Sequence, residues 1–207
     1  MRKLKLHHEP ILQGNFQLQK LNVLLVFQVN CPGCFLYEIP VFNELYQKFG
    51  DTPVSFLGLS TAFEDFDKNT LENTTDLLRS GTLVGETKKA FAAKGLEDLP
   101  FKIDFPVAMD SSNVSSENVE QMIEDICAIN PNYKIWPDFE KEAMRQNVGR
   151  YLEMQEKISL TFTLNQLRGT PSIVIFDSNY SILDHWFGHV RYEEIAEKLE
   201  QFGTSKN

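Results

Sequence analysis

The stretch that most constrains this 207-residue chain is the apolar run Val23-Leu-Leu-Val-Phe27, followed at once by the pair Cys31-Pro32-Gly33-Cys34. A short run of this kind bounded by polar residues is the pattern of a strand buried on both faces of a sheet. Beyond the cysteines, Phe35, Leu36, Ile39, Val41, Phe42, Leu45, Tyr46 and Phe49 recur at helical spacing, and Gly50-Asp51 supplies the stop. Residues 23–49 therefore read as strand, cysteine-bearing turn and helix.

A second strand-length run, Val54–Ser60, makes this a strand–helix–strand unit, which normally means a parallel pair with a right-handed crossover. Asp76–Ala93 reads as one helix weakened by Gly81 and Gly85, and Phe105–Asp110 as a short strand. From 111 to about 160 the chain turns charged and helical. Helices are predicted over Ser116–Ile129, with Glu117 and Glu120 in the first turn, and over Pro137–Ile158. Ser172–Phe176, the turn Asp177–Tyr180 and Ser181–Phe187 form a hairpin signature, and an amphipathic helix follows over Arg191–Phe202. The expectation is one α/β domain over 1–207, a mixed sheet flanked by helices with a helical insertion at about 111–160.

Hydrophobic residues at 42% and charged residues at 24% exclude a disordered or collagen-like chain. Twenty Lys and Arg against 29 Asp and Glu give a net charge of −9, which repels polyphosphate and anionic lipid, so no nucleic-acid or membrane partner is expected. The longest apolar run, Leu21–Phe27, falls far short of the roughly 20 residues of a membrane span. The basic start Met1–Lys5 leads into His7, His8, Glu9 and Pro10 where a signal peptide would be apolar, and the expected compartment is the cytoplasm. Three cysteines, two of them in one CxxC, are not a secreted disulfide framework. They suit a redox or metal pair plus one spare thiol.

A CxxC between a strand and a helix start lets backbone N–H groups and the helix dipole stabilise a thiolate at Cys31, with the second sulfur close enough for a reducible disulfide. The rival is half of a zinc site, for which His7-His8 or His185-x3-His189 would supply the other ligands. Gly169-Thr170-Pro171-Ser172, just ahead of the strand Ile173–Phe176, contains a candidate cis Thr170–Pro171 bond. A cis proline there would set the backbone of Thr170 beside the cysteines to hold an extended substrate strand, whereas an ordinary strand-start proline would hold nothing. Cys127 lies among Ile123, Ile126 and Ile129 and reads as a small core residue.

Val23–Glu44 with its CxxC and Pro40, Val54–Ser60, Phe105–Asp110 and Leu167–Asp177 running on through Gly188 resemble the thioredoxin-like superfamily, most nearly the TlpA/ResA-like thiol–disulfide oxidoreductases. The resemblance covers about half the chain. It implies a thioredoxin-like fold, Cys31 as nucleophile, Cys34 as resolving thiol, and Pro32, Gly33, Thr170 and Pro171 along the substrate groove. No cofactor beyond the redox-active pair Cys31–Cys34 and no metal is implied. The partners would be a protein or peptide disulfide and an upstream thiol reductant. Departures from the pattern are Asn30 where relatives usually carry Trp, Cys31 one residue nearer the strand, and Pro40 one residue farther from Cys34. Leu25 or Val26 stands where thioredoxins bury an Asp, leaving Glu38 as the alternative base. The peroxide-binding Pro-x-x-x-Thr/Ser-x-x-Cys pattern is absent. A redox-inert peptide-binding module and a metal-binding protein are the competing readings.

Overall fold

The computed structural model describes residues 2–112, 118–155 and 157–204. Its centre is β2, Leu21–Phe27, in which every residue is buried. It pairs on both sides, parallel to β3 (Val54–Ser60) and antiparallel to β5 (Ser172–Asp177), and its side chains are buried because both faces of the sheet are covered there. The other strands are β1 (His8–Gln13), β4 (Val107–Asp110) and β6 (Ile182–Phe187), and the six-stranded mixed sheet runs β1-β4-β3-β2-β5-β6. Alternation along β2 sends Val23, Leu25 and Phe27 to one face and Leu24 and Val26 to the other.

On the first face pack α1 (Ile39–Phe49), through Ile39, Phe42, Leu45 and Phe49, and α7 (Tyr192–Thr204), through Ile195, Ala196 and Leu199. Phe42 meets Phe56 and Phe105 edge-on at centroid distances of 5.3 and 4.7 Å. The second face is covered by Leu4 and Phe162, with Leu6, Phe63 and Leu167 at its margin. The polar start of the chain reads as no strand, yet β1 adds antiparallel to the edge of β4. Its weak alternation, exposed and half-buried by turns, explains why the sequence pattern shows no strand there.

The helix expected over Asp76–Ala93 is instead two, α2 (Leu71–Ser80) and α3 (Gly85–Ala92). Gly81 ends α2 in the left-handed region at φ +76°, a conformation that glycine adopts without a side-chain clash. The insertion contains α4 (Val119–Cys127), a 3₁₀ turn over Tyr133–Ile135, α5 (Asp138–Glu153) and the short α6 (Leu160–Leu164). Ser116 and Glu117, expected to open the first of these helices, lie outside the described residues. Met122, Ile123, Ile126, Cys127, Tyr133, Val148 and Leu152 form a separate apolar cluster that joins Leu160 and Leu164 of α6. Cys127 is fully buried in it.

Candidate active site

Residues 32–33 begin the helical turn after β2, so Cys31 occupies the position just before a helix, with Pro32 first, where a missing N–H costs nothing. Cys31 is half-buried, and its Sγ lies 3.3 Å from the Cys34 backbone N–H, which donates to it. The thiol is held down to about 7 by the hydrogen bond from the Cys34 side chain first, then by the contact with Thr170 and by the N–H groups of Cys34 and Gly33, against the opposing effect of burial. Cys34 behaves in the opposite way. Its side chain is fully buried, and burial, followed by the neighbouring Cys31, pushes its thiol well above the ordinary range. One sulfur is poised to ionise near neutral pH and the other is kept protonated.

From Cys34 to Glu38 the backbone forms a π-turn, in which the Ile39 N–H reaches back five residues to the Cys34 carbonyl. This widened turn takes up one residue, the same excess that the sequence shows between Cys34 and Pro40. Pro40 then falls in the first turn of α1, where the helix tolerates it.

The Thr170–Pro171 peptide is cis. Just ahead of β5, it puts the Thr170 carbonyl 3.6 Å from Cys31 Sγ, and the Thr170 hydroxyl donates to Oε1 of buried Gln28 at 3.2 Å. The Pro171 carbonyl accepts from the Gly188 N–H at 2.9 Å, tying this turn to the end of β6. Cys31, Pro32, Gly33, Thr170 and Pro171 thus converge at the C-terminal end of β2.

Glu38 closes the π-turn with a fully buried side chain. Its Oε2 accepts from the Val190 N–H at 3.0 Å and pairs with His189 Nδ1 at 2.9 Å, while Oε1 has no hydrogen-bond partner. Burial raises this carboxyl, with the Val190 N–H and His189 opposing. Of the histidines weighed as zinc ligands, His189 is the one beside the cysteine-bearing turn, where it is engaged with Glu38. His8 lies on β1, separated from β2 by β4 and β3, and His185 lies on β6 at the opposite edge. Among the described residues, no three His, Cys, Asp or Glu side chains stand together as a metal set. Gln28, Asp65 and Asn69 carry no sequence signal of their own, yet their hydrogen bonds fasten the segment leading to Cys31 to parts of the chain 35 to 142 residues away.

No protein-family model and no curated protein matches the chain. Solved structures do. A thiol-disulfide isomerase from Corynebacterium glutamicum superposes with a TM-score of 0.61 at 20% identity, covering 99% of this chain and 97% of its own. A thioredoxin-like superfamily protein gives 0.59 at 18% identity, over 100% and 99% of the two chains. An uncharacterised conserved protein from Geobacillus kaustophilus gives 0.52 at 11% identity, over 97% and 80%. The chain has a thioredoxin-like fold.

Proposed function

We propose that this protein is a thiol–disulfide oxidoreductase in which the Cys31 thiolate attacks a disulfide and Cys34 releases the product. What carries the reading is the contrast between the two sulfurs: Cys31 is half-exposed and faced by N–H donors, and Cys34 is sealed beneath it. In the first step the Cys31 sulfur bonds to one sulfur of the partner disulfide, whose other sulfur leaves as a thiolate. Cys34, once deprotonated, then attacks Cys31 Sγ. The Cys31–Cys34 disulfide forms, the second partner sulfur leaves, and a dithiol reductant restores the pair. The substrate chain would lie extended along Thr170 and Pro171, pairing with the backbone beside the sulfurs. The isomerase from Corynebacterium glutamicum, with the same fold over nearly its whole length, accords with this chemistry.

The test is to trap the intermediate. Cys34→Ser should accumulate mixed disulfides with a model protein or peptide disulfide, and Cys31→Ser should form none. Exchange activity surviving in Cys31→Ser would overturn the reading.

A further inference from the structure

Asn30, immediately before Cys31, sends its polar groups to three separate places. Its backbone N–H donates to Asn69 Oδ1 at 3.0 Å, its Nδ2 donates to Asp65 Oδ2 at 2.8 Å, and its Oδ1 accepts from the Glu86 N–H at 2.6 Å. The flanking residues are tied in the same directions. Gln28 Nε2 donates to the Glu64 carbonyl at 3.3 Å, and the Val29 carbonyl accepts from the buried Thr87 hydroxyl at 2.8 Å. The receiving loop is itself braced, since Asn69 donates through Nδ2 to the Glu64 carbonyl and through its backbone N–H to the Asp65 carbonyl, both at 2.9 Å.

These bonds solve a problem for α3. The first N–H groups of a helix need acceptors from outside it, and Val84, at the start of α3, has no side-chain oxygen to offer. Asn30 supplies one across 56 residues of sequence. Gly85 makes room for it: a Cβ there would come within 2.1 Å of Asn30 Oδ1, and the backbone has φ +51°. The first turn of α3 and the loop 64–69 therefore grip the residue adjoining Cys31 from two sides.

We propose that Asn30 is a positioning residue for Cys31, a polar clamp that holds the turn over residues 28–34 so that the Cys34 N–H stays directed at Cys31 Sγ. The proposal rests on the reading of Cys31 as nucleophile. Hydrogen-bond stabilisation falls steeply with distance and angle, and only the backbone dihedrals at the 30–31 junction and χ1 of Cys31 separate the clamp from the sulfur. Relaxing the turn therefore withdraws N–H donors from the thiolate. Where relatives usually place an apolar lip, this chain places a fastening.

The test uses a Cys34→Ser/Cys127→Ser background, which leaves Cys31 as the one thiol, and follows its alkylation by iodoacetamide against pH at a temperature where circular dichroism shows each variant folded. Asn30→Ala should raise the midpoint and slow alkylation at pH 7 by roughly three- to tenfold, tenfold corresponding to a full pH unit. Asn30→Asp keeps the acceptor for Glu86 but sets a carboxylate against Asp65, and should do the same. Adding Asp65→Asn to Asn30→Asp exchanges donor for acceptor and restores the bond, so the rate should return to within about twofold of the parent. Gly85→Ala, which intrudes on the amide from the α3 side, should mimic Asn30→Ala and add little to it. Parent-like midpoints in Asn30→Ala and Gly85→Ala, or no recovery in the exchanged pair, would overturn the proposal. Because alkylation needs no disulfide partner, it reports on Asn30 separately from the trapping experiment, whose failure would strike the oxidoreductase reading alone.

Discussion

His189 Nδ1 and Glu38 Oε2 lie 2.9 Å apart, joining the turn after β6 to the last residue of the π-turn that Cys34 opens. The Val190 N–H reaches the same oxygen, and one residue before His189 the Gly188 N–H holds the Pro171 carbonyl. Glu38 therefore links the helix that carries the cysteines to the strand turn that carries the cis proline.

Removing that carboxyl should loosen both of the segments it joins. Glu38→Ala leaves the buried Val190 N–H without an acceptor and opens space where the carboxyl stood. A loss of about 2–4 kcal/mol of unfolding free energy is expected. Glu38→Gln keeps an acceptor and should stay within about 1 kcal/mol of wild type. Urea titration of both variants decides it, and an alanine variant as stable as wild type would show that the link contributes nothing.

The rate of the first chemical step should follow the ionisation of Cys31. With the thiol near 7, mixed-disulfide formation with an excess of a small aromatic disulfide should rise between pH 6 and 8 and level off above. A rate still climbing at pH 9 would place Cys31 in the range of an ordinary free thiol.

Release should behave differently. Cys34 lies well above the usual thiol range, and Leu25 and Val26 of β2 offer no base. The thiolate fraction of Cys34 then grows close to tenfold for each pH unit, and release of a fluorescent peptide from the mixed disulfide should accelerate in the same proportion between pH 7 and 9. Stopped-flow measurement checks this. A flat profile would mean that another group takes the proton, and Glu38, with its unpartnered oxygen, would be the first to examine.

What could be read from the sequence was whatever a local pattern encodes. The run Val23–Phe27 announces a buried central strand because a sheet covered on both faces demands apolar residues pointing both ways, and the cysteine pair announces itself by spacing. The extra residue between Cys34 and Pro40 was also visible, but not the π-turn that absorbs it, because a helix can take up an insertion in more than one way. Gly81 and Gly85 were visible as weak points, yet splitting one helix into two depends on the left-handed conformation at Gly81 and on Asn30 reaching Glu86. The clamp around Asn30 and the pairing of Glu38 with His189 join residues 35 to 151 positions apart, and no local pattern records such encounters.

A buried carboxyl in β4 should leave a signature in the stability of the whole domain. Asp110 Oδ1 accepts from the Thr161 N–H at 2.8 Å, and Oδ2 accepts from the Phe162 N–H at 3.1 Å and the Thr61 hydroxyl at 2.9 Å, so it anchors α6 and with it the insertion. Burial nevertheless raises its carboxyl from 3.8 to about 6, outweighing the three donors. Between those two values the folded chain holds a proton at Asp110 that the unfolded chain has released. The contribution of this group is therefore full below about pH 4 and is lost as pH rises through 6, and the displacement of roughly two pH units corresponds to about 3 kcal/mol. Asp110→Asn cannot titrate. Its absolute stability will be lower where a bond to Thr61, Thr161 or Phe162 is broken, but the quantity to follow is the difference from wild type across pH 4–7, in which all the other carboxylates cancel. The advantage of wild type over Asp110→Asn should shrink by roughly 2.5 kcal/mol over that range, measured by urea unfolding at fixed ionic strength. Parallel curves would show that Asp110 ionises in the folded chain much as it does in the unfolded one.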